Sequence, residues 1–234
     1  MEQIELMREF ENAIRANNPH EVASIIPLLA DINSTCVDHD TTPFIVACVE
    51  ACKTGDLTIS RLLHDAGADI NIKQSNQHPL DAVCLTNEPF LPLVVKWLLD
   101  NGANVNTGAP IECLCSLPES DFTLSALTLL LNAGADVNRN APLFEATRVF
   151  NPKTIRILVI KGATITPDVV SIVCERSTEP DFQFKQQNET IARLLVRHGA
   201  TPSQCHAHDC WCGDSSTCVF DKICGTKTQR VNTW

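Results

Sequence analysis

Chemistry-bearing side chains concentrate in one short stretch, CHAHDCWCGDSSTCVFDKIC (205–224), with five cysteines, two histidines and a tryptophan. Cys205, His206, His208, Cys210, Cys212, Cys218 and Cys224 are all groups that bind zinc, which takes four thiolate or imidazole ligands in a closed structural site. Cys210, Cys212 and Cys218 form a Cys-x-Cys-x5-Cys run; the fourth ligand would come from Cys205, His206, His208 or Cys224. Paired Cys-x2-Cys knuckles are absent. The aliphatic residues of 204–234 are Val219, Ile223 and Val231, too few for a core, and one structural zinc ion would staple such a segment. Disulfides in an oxidising compartment, or a reduced tail without fixed structure, account for the same composition. A catalytic thiol needs a base beside it, and no His or acid is placed to serve.

The chain ahead of this segment must position it. Hydrophobic residues make up 44% of the 234, enough for a core, while aromatics are 5% and tyrosine is missing. An interior of Leu, Ile, Val and Ala follows, which suits stacked helices better than a β-sandwich. The net charge of −10 is uneven: residues 1–100 carry 15 acids against 6 bases, residues 101–234 carry 13 against 12. That asymmetry disfavours nucleic acid and suits a basic protein surface, or simply serves solubility. The opening MEQIELMREFENAIRANN is acidic and amphipathic, without the basic and apolar regions of a secretion signal. Runs such as LPLVVKWLL and LSALTLLL are too short for a bilayer. A cytoplasmic or nuclear setting without membrane contact is expected, with reduced thiols and with Asn33 and Asn188 as chance sequons. No P-loop, G-x-G-x-x-G, G-x-S-x-G or H-E-x-x-H motif occurs.

The strongest signal is self-similarity. LLHDAGADIN (62–71), LLDNGANVN (98–106) and LLNAGADVN (130–138) are copies of one phrase, with LVIKGATIT (158–166), LLVRHGATPS (194–203) and LLADIN (28–33) as weaker ones. After each comes a Pro-led phrase: TPFIVA (42–47), HPLDAV (78–83), APIECL (109–114), APLFEA (141–146) and TPDVVS (166–171). Paired leucines ending a helix, then a glycine, predict a left-handed closing residue. Proline suits the first turn of the next helix, where its missing N–H costs nothing. Each unit is a short helix, a connector, a second helix and an extended turn, and such units bury their apolar faces only by stacking.

These two phrases resemble the T-P-L-H-x-A and L-L-x-x-G-A-D-V-N signatures of the ankyrin repeat. The resemblance spans about residues 1–203, as repeats at approximately 1–37, 38–73, 74–107, 108–139, 140–164 and 165–203, with the Cys/His-rich segment 204–234 as a possible zinc-stapled cap. It implies an all-α fold: an ankyrin-type α-solenoid of about six stacked helix-turn-helix repeats with shortened β-turn fingers. It also implies protein binding, as a scaffold, adaptor, IκB-like inhibitor or host-directed effector, and no catalysis. The alternative is a zinc-dependent protein whose tail carries a recognition or catalytic role. The Cys-x-Cys-x5-Cys run is similar to the zinc-binding cysteines after the SET domain of lysine methyltransferases, with nothing else of such enzymes present.

Set against that family, the fingers shrink along the chain. Six residues separate Asn71 from His78, two separate Asn106 from Ala109, and two separate Asn138 from Ala141. Asp38, Asp40, Thr41, Lys73, Gln74, Ser75, Asn76, Gln77, Arg139 and Asn140 are expected to be exposed on fingers, and Glu50 and Asp81 to face the groove from first helices. Connectors lengthen instead, above all RSTEPDFQFKQQNE (176–189), and Phe182 and Phe184 there are candidates for a second binding edge. Pinning their connectors onto second helices is the expectation for Phe90 and Phe122 and the alternative one for Phe182. Cys48, Cys84 and Cys115 each lie five residues after the proline of their repeat and read as small core hydrophobes.

Overall fold

The structure, a computed structural model, describes residues 2–36, 40–75, 77–176, 182–201, 204 and 218–224. Side chains of residues 2 and 182–184 are outside that description. It divides into two compact units, Met1–Asp136 and Val137–Trp234. The first holds α1 (Glu2–Arg15), α2 (Pro19–Ile25) with a 3-10 turn (Ile26–Leu28), α3 (Pro43–Thr54), α4 (Thr58–Asp65), α5 (Pro79–Cys84), α6 (Leu91–Asp100), α7 (Pro110–Cys115) and α8 (Asp121–Asn132). The second holds α9 (Pro142–Val149), α10 (Pro152–Ile160), α11 (Pro167–Arg176), α12 (Phe182–Arg197) and α13 (Val219–Cys224). The fold is all-α: among the described residues the only extended pairing is a single bridge between Gln74 and Gln77.

One construction recurs. Pro43, Pro79, Pro110, Pro142 and Pro167 open the first helices α3, α5, α7, α9 and α11. The second helices close on glycine: Gly67, Gly102, Gly134, Gly162 and Gly199 have φ between +88° and +100°. The alanine after each glycine donates its N–H to the carbonyl of Leu63, Leu98, Leu130, Leu158 or Leu195, at 2.9 to 3.1 Å. This is the 6→1 bond of a Schellman cap, and all five leucines are fully buried. A Cβ on any of these glycines would meet nothing within 4 Å, so backbone angle rather than space demands them.

The asparagine ending each phrase ties one repeat to the next. Asn33 Oδ1 accepts the Asp69 N–H (2.9 Å), Asn71 the Asn104 N–H (2.8 Å), Asn106 the Asp136 N–H (2.8 Å) and Asn138 the Thr164 N–H (2.7 Å). Their Nδ2 groups donate to the carbonyls of Gly67, Gly102, Gly134 and Gly162 at 3.0 to 3.5 Å. Each amide thus satisfies two orphan backbone groups at the neighbouring helix end, the groups no helix can satisfy internally.

The core matches the expected chemistry. Cys48, Cys84 and Cys115 are fully buried, and burial pushes the Cys48 and Cys84 thiols far above the ordinary value. At the equivalent position of the next repeat Thr147 is buried, with its hydroxyl donating to the Leu143 carbonyl at 2.7 Å. Asn188 is buried too and donates to the Val173 carbonyl at 2.7 Å, bonding α12 to α11.

One expectation changes in this region. Most of the long connector at 176–189 is not a loop, because α12 begins at Phe182. QFKQQNE is rich in strong helix formers, and α12 runs from it into the apolar stripe of Ile191, Ala192 and Leu195, all buried. Phe90 packs on Gly55, which closes the first helix α3: a Cβ there would lie 2.9 Å from the Phe90 ring. The Phe90 N–H donates to the Cys52 carbonyl at 3.0 Å, and the ring stays 40% exposed.

Candidate functional site

The best-formed finger is at 71–78. Gln74 and Gln77 exchange both backbone N–H···O bonds at 3.0 and 2.8 Å, and His78 Nδ1 lies 3.1 Å from the Asn71 carbonyl oxygen. Ser75 sits at φ +47°, at the finger's exposed edge. Asp40 reaches this finger from the preceding repeat: Gln74 Nε2 donates to Asp40 Oδ1 at 2.8 Å and the Ser75 hydroxyl to Asp40 Oδ2. Asp40, Lys73 and Ser75 are exposed, with Thr41, Gln74 and Gln77 half-buried. Asp38 and Asn76 lie outside the described residues. Asp31 and Asp69 are exposed as well, so three carboxylates line the turns between repeats in this unit.

Asp81 does not face a groove. It is 4% exposed, and its carboxylate accepts the His78 N–H at 3.3 Å and the Ala109 N–H at 2.9 Å. The first bond completes a capping box on α5, and the second holds the short turn of the next repeat. Gly108 makes room, since a Cβ at its φ of +73° would overlap the Asp81 carboxylate. With the finger reduced to Thr107 and Gly108, the first helix approaches the backbone directly and its carboxylate is consumed there. Glu50 is half-buried, paired with Lys53 at 2.9 Å and Arg15 at 3.7 Å. In the second unit Arg139 and Asn140 are exposed on a turn where Asn140 and Ala141 both have positive φ, +57° and +53°. Phe182 and Phe184 lie in the first turn of α12.

Large apolar side chains are also exposed at or beside the connectors of the first unit. Leu85, Phe90, Leu93 and Phe122 are 43, 40, 43 and 39% exposed. Ser120 Oγ donates to Asn87 Oδ1 at 2.6 Å, binding one connector to the next.

Of the metal-ligand candidates, Cys205, His206, His208, Cys210 and Cys212 lie outside the described residues. Cys218 is fully buried immediately before α13, which packs against α12 and whose Val219 and Phe220 are buried. Its sulfur lies 3.6 Å from that of Cys174, on α11 and fully buried. Cys224, at the end of α13, is half-buried. Among the described residues no group of three or more His, Cys, Asp or Glu side chains is placed to hold a metal ion, and no helix there is long and apolar enough to cross a membrane.

Sequence reasoning missed two things here. The asparagine ladder was signalled by an Asn repeated at one place in four phrases. The Cys174–Cys218 contact joins residues 44 apart and had no local signal.

Comparison with known proteins points one way. No family model matches the chain. Ankyrin repeat and SOCS box protein 6 of Homo sapiens is 27% identical, with 61% of this chain and 40% of that protein covered. An ankyrin repeat and KH domain-containing protein of Caenorhabditis briggsae is 26% identical, covering 71% of this chain and 7% of that protein. The chain therefore spans less than half the length of these curated relatives. Among solved structures, the human ASB11 ankyrin repeat domain superposes with a TM-score of 0.61 at 16% identity, covering 82% of this chain and 84% of that one. With the recurring Schellman caps, the N1 prolines and the asparagine ties already in place, these likenesses give the chain the fold of an ankyrin repeat domain.

Proposed function

We propose that the chain binds an extended segment of another protein through the finger surface of its first unit, acting as a scaffold, inhibitor or adaptor. The ankyrin fold is a binding scaffold, which makes a protein partner the coarse conclusion; the finger is our reading of where. The observation that carries it is the Asp40–Gln74–Ser75 cluster, which holds one finger against its neighbour before any partner arrives. Preorganised polar groups bind with less ordering cost than a free loop. Asp31, Asp40 and Asp69, in the half of the chain with the acidic excess, favour basic residues in the bound segment. Lys73, Gln77, Asp38, Asn76 and Thr41 fall along the same edge in sequence. Arg139, Asn140, Phe182 and Phe184 belong to the second unit and form the weaker candidates. The matched relatives are named for ankyrin repeats together with a SOCS box or a KH domain, which supports an adaptor in which the repeats do the recognising.

The test is affinity capture from a lysate with full-length protein, followed by binding of the captured partner to purified variants. A Lys73→Ala, Gln74→Ala, Ser75→Ala protein should lose the partner at least ten-fold while its unfolding midpoint stays put. Retained binding in that variant, with loss in Phe90→Ala or Phe122→Ala, would move the site to the connector edge.

The Cys/His-rich segment is proposed as a structural zinc site that fastens the C-terminal part to the last repeat. In its favour are the soft-donor composition of 205–224 and the docking of α13 on α12 around a buried cysteine.

A further inference from the structure

The helix α13 has little of its own to hold it in place. Six residues are too few for an independently stable helix, and the branched aliphatic residues of 204–234 are only Val219, Ile223 and Val231. What it does have is a dry contact with the last repeat. Cys218, immediately before α13, and Cys174, on α11, are both fully buried with their sulfurs 3.6 Å apart. Val219 and Phe220 beside the one, and Val170 and Val173 beside the other, are buried as well. The Cys174 end is fixed, because the Val173 carbonyl accepts a 2.7 Å bond from Asn188 of α12. A disulfide needs these sulfurs to close from 3.6 Å to about 2.05 Å. The product suits the surroundings: a thiolate is costly among apolar side chains, whereas a disulfide carries no charge and no polar hydrogen.

From this we infer that Cys174 and Cys218 form a reversible disulfide that locks α13 onto α11 when the chain meets a low-molecular-weight disulfide such as glutathione disulfide. Two exchanges accomplish it. The Cys218 thiolate attacks one sulfur of glutathione disulfide, a mixed disulfide forms, and one glutathione thiolate leaves. The Cys174 thiolate then attacks the Cys218 sulfur, the Cys174–Cys218 bond forms, and the second glutathione thiolate leaves. The two cysteine protons end on the two glutathiones; the cysteine pair loses two electrons and glutathione disulfide gains them. Both sulfurs are closed to solvent, so the first attack takes place while α13 is transiently lifted, a local opening natural to a short element. Its return restores the contact and the second exchange becomes intramolecular. The cysteines are 44 positions apart, and closing so long a loop removes much of the freedom of the unfolded chain. The inference stands apart from the zinc reading, although a zinc set that includes Cys218 would withhold that thiol from the disulfide.

The experiment uses the full chain, purified reduced and equilibrated in glutathione buffers from reducing to oxidising, with and without a metal chelator. After acid quenching, mass spectrometry should show a species two hydrogens lighter that dithiothreitol converts back. Cleavage by trypsin and by a protease that cuts before Asp isolates Cys174 in DVVSIVCER (168–176) and Cys218 in DSSTCVF (214–220). These two peptides should be recovered joined, in either the chelated or the unchelated arm. The thermal midpoint of the oxidised wild type should exceed that of the reduced form by roughly 5 °C or more. That shift should vanish in Cys174→Ala and Cys218→Ala and persist in Cys224→Ser. The two wild-type forms decide the matter even where a variant at a buried cysteine fails to fold. Cys174 fully open to alkylation after denaturation at every buffer ratio in both arms would overturn the inference. So would Cys218 joined to Cys205, Cys210 or Cys212 in place of Cys174, or a joined pair that leaves the midpoint unchanged.

Discussion

Two turns of the first unit, 71–78 and 106–109, join the same two phrases with different lengths of chain. The asparagine tie is the same in both: Asn71 and Asn106 each bridge to the next helix end with one accepted and one donated bond. What differs is the carboxylate beside the turn. Where the turn is long it projects as a finger, and the nearby Asp40 stays exposed while bonding Gln74 and Ser75. Where it is short there is nothing to project, and Asp81 is drawn inside to hold Ala109. The acidic residue beside the long turn is thus exposed, and the one beside the short turn is spent on the fold.

The sharpest way to break this comparison is at Gly108. Gly108→Ala places a Cβ on the Asp81 carboxylate at a φ of +73°, and about 3 kcal/mol of stability should be lost in urea unfolding. Gly67→Ala faces the same φ penalty in open space and should cost about 1 kcal/mol. Equal losses would mean that the Asp81 approach contributes nothing. Next in size is Asp81→Ala, which strands the His78 and Ala109 N–H groups and should cost about 2 kcal/mol, whereas Asp40→Ala, at an exposed site, should stay within about 0.5 kcal/mol. Asn71→Ala and Asn106→Ala should each cost about 1 kcal/mol. A clear inequality between those two would show that the tie depends on turn length after all.

A pH effect sharpens the same contrast. Cys113 is pushed from 9.0 up to about 12, by burial first and then by the neighbouring Asp81 charge. Cys52, away from that carboxylate, is raised to about 12 chiefly by burial. A thiol that ionises at 9.0 when unfolded but near 12 when folded leaves stability untouched below pH 9 and removes it progressively as pH rises through that interval. Asp81→Asn should lower the Cys113 titration, followed by thiolate absorbance, and leave Cys52 where it is.

Much of this was legible before folding was considered. The Gly and Pro positions dictate backbone angles locally, so the five glycine caps and the N1 prolines could be read residue by residue. The three repeat-position thiols were legible too, because a periodic position implies a periodic environment. Asp81 was not: its helix was evident, but which way its carboxylate turned depended on how close the next repeat's backbone came. The last connector reads as long from the distance between its two repeat phrases, while the Gln- and Lys-rich run within it prefers helix once Ile191 and Leu195 have a core to enter.

By itself, then, the sequence determined the repeat, its proline-led helix starts and glycine-closed helix ends, and its repeat-position interior, since these follow from dihedral preference and short-range periodicity. Tertiary structure alone decided the rest: which carboxylate is buried, which asparagines bridge repeats, and that Cys218 meets Cys174. Those are contacts between residues 24 to 44 positions apart, and no local rule relates such residues until stacking brings them together.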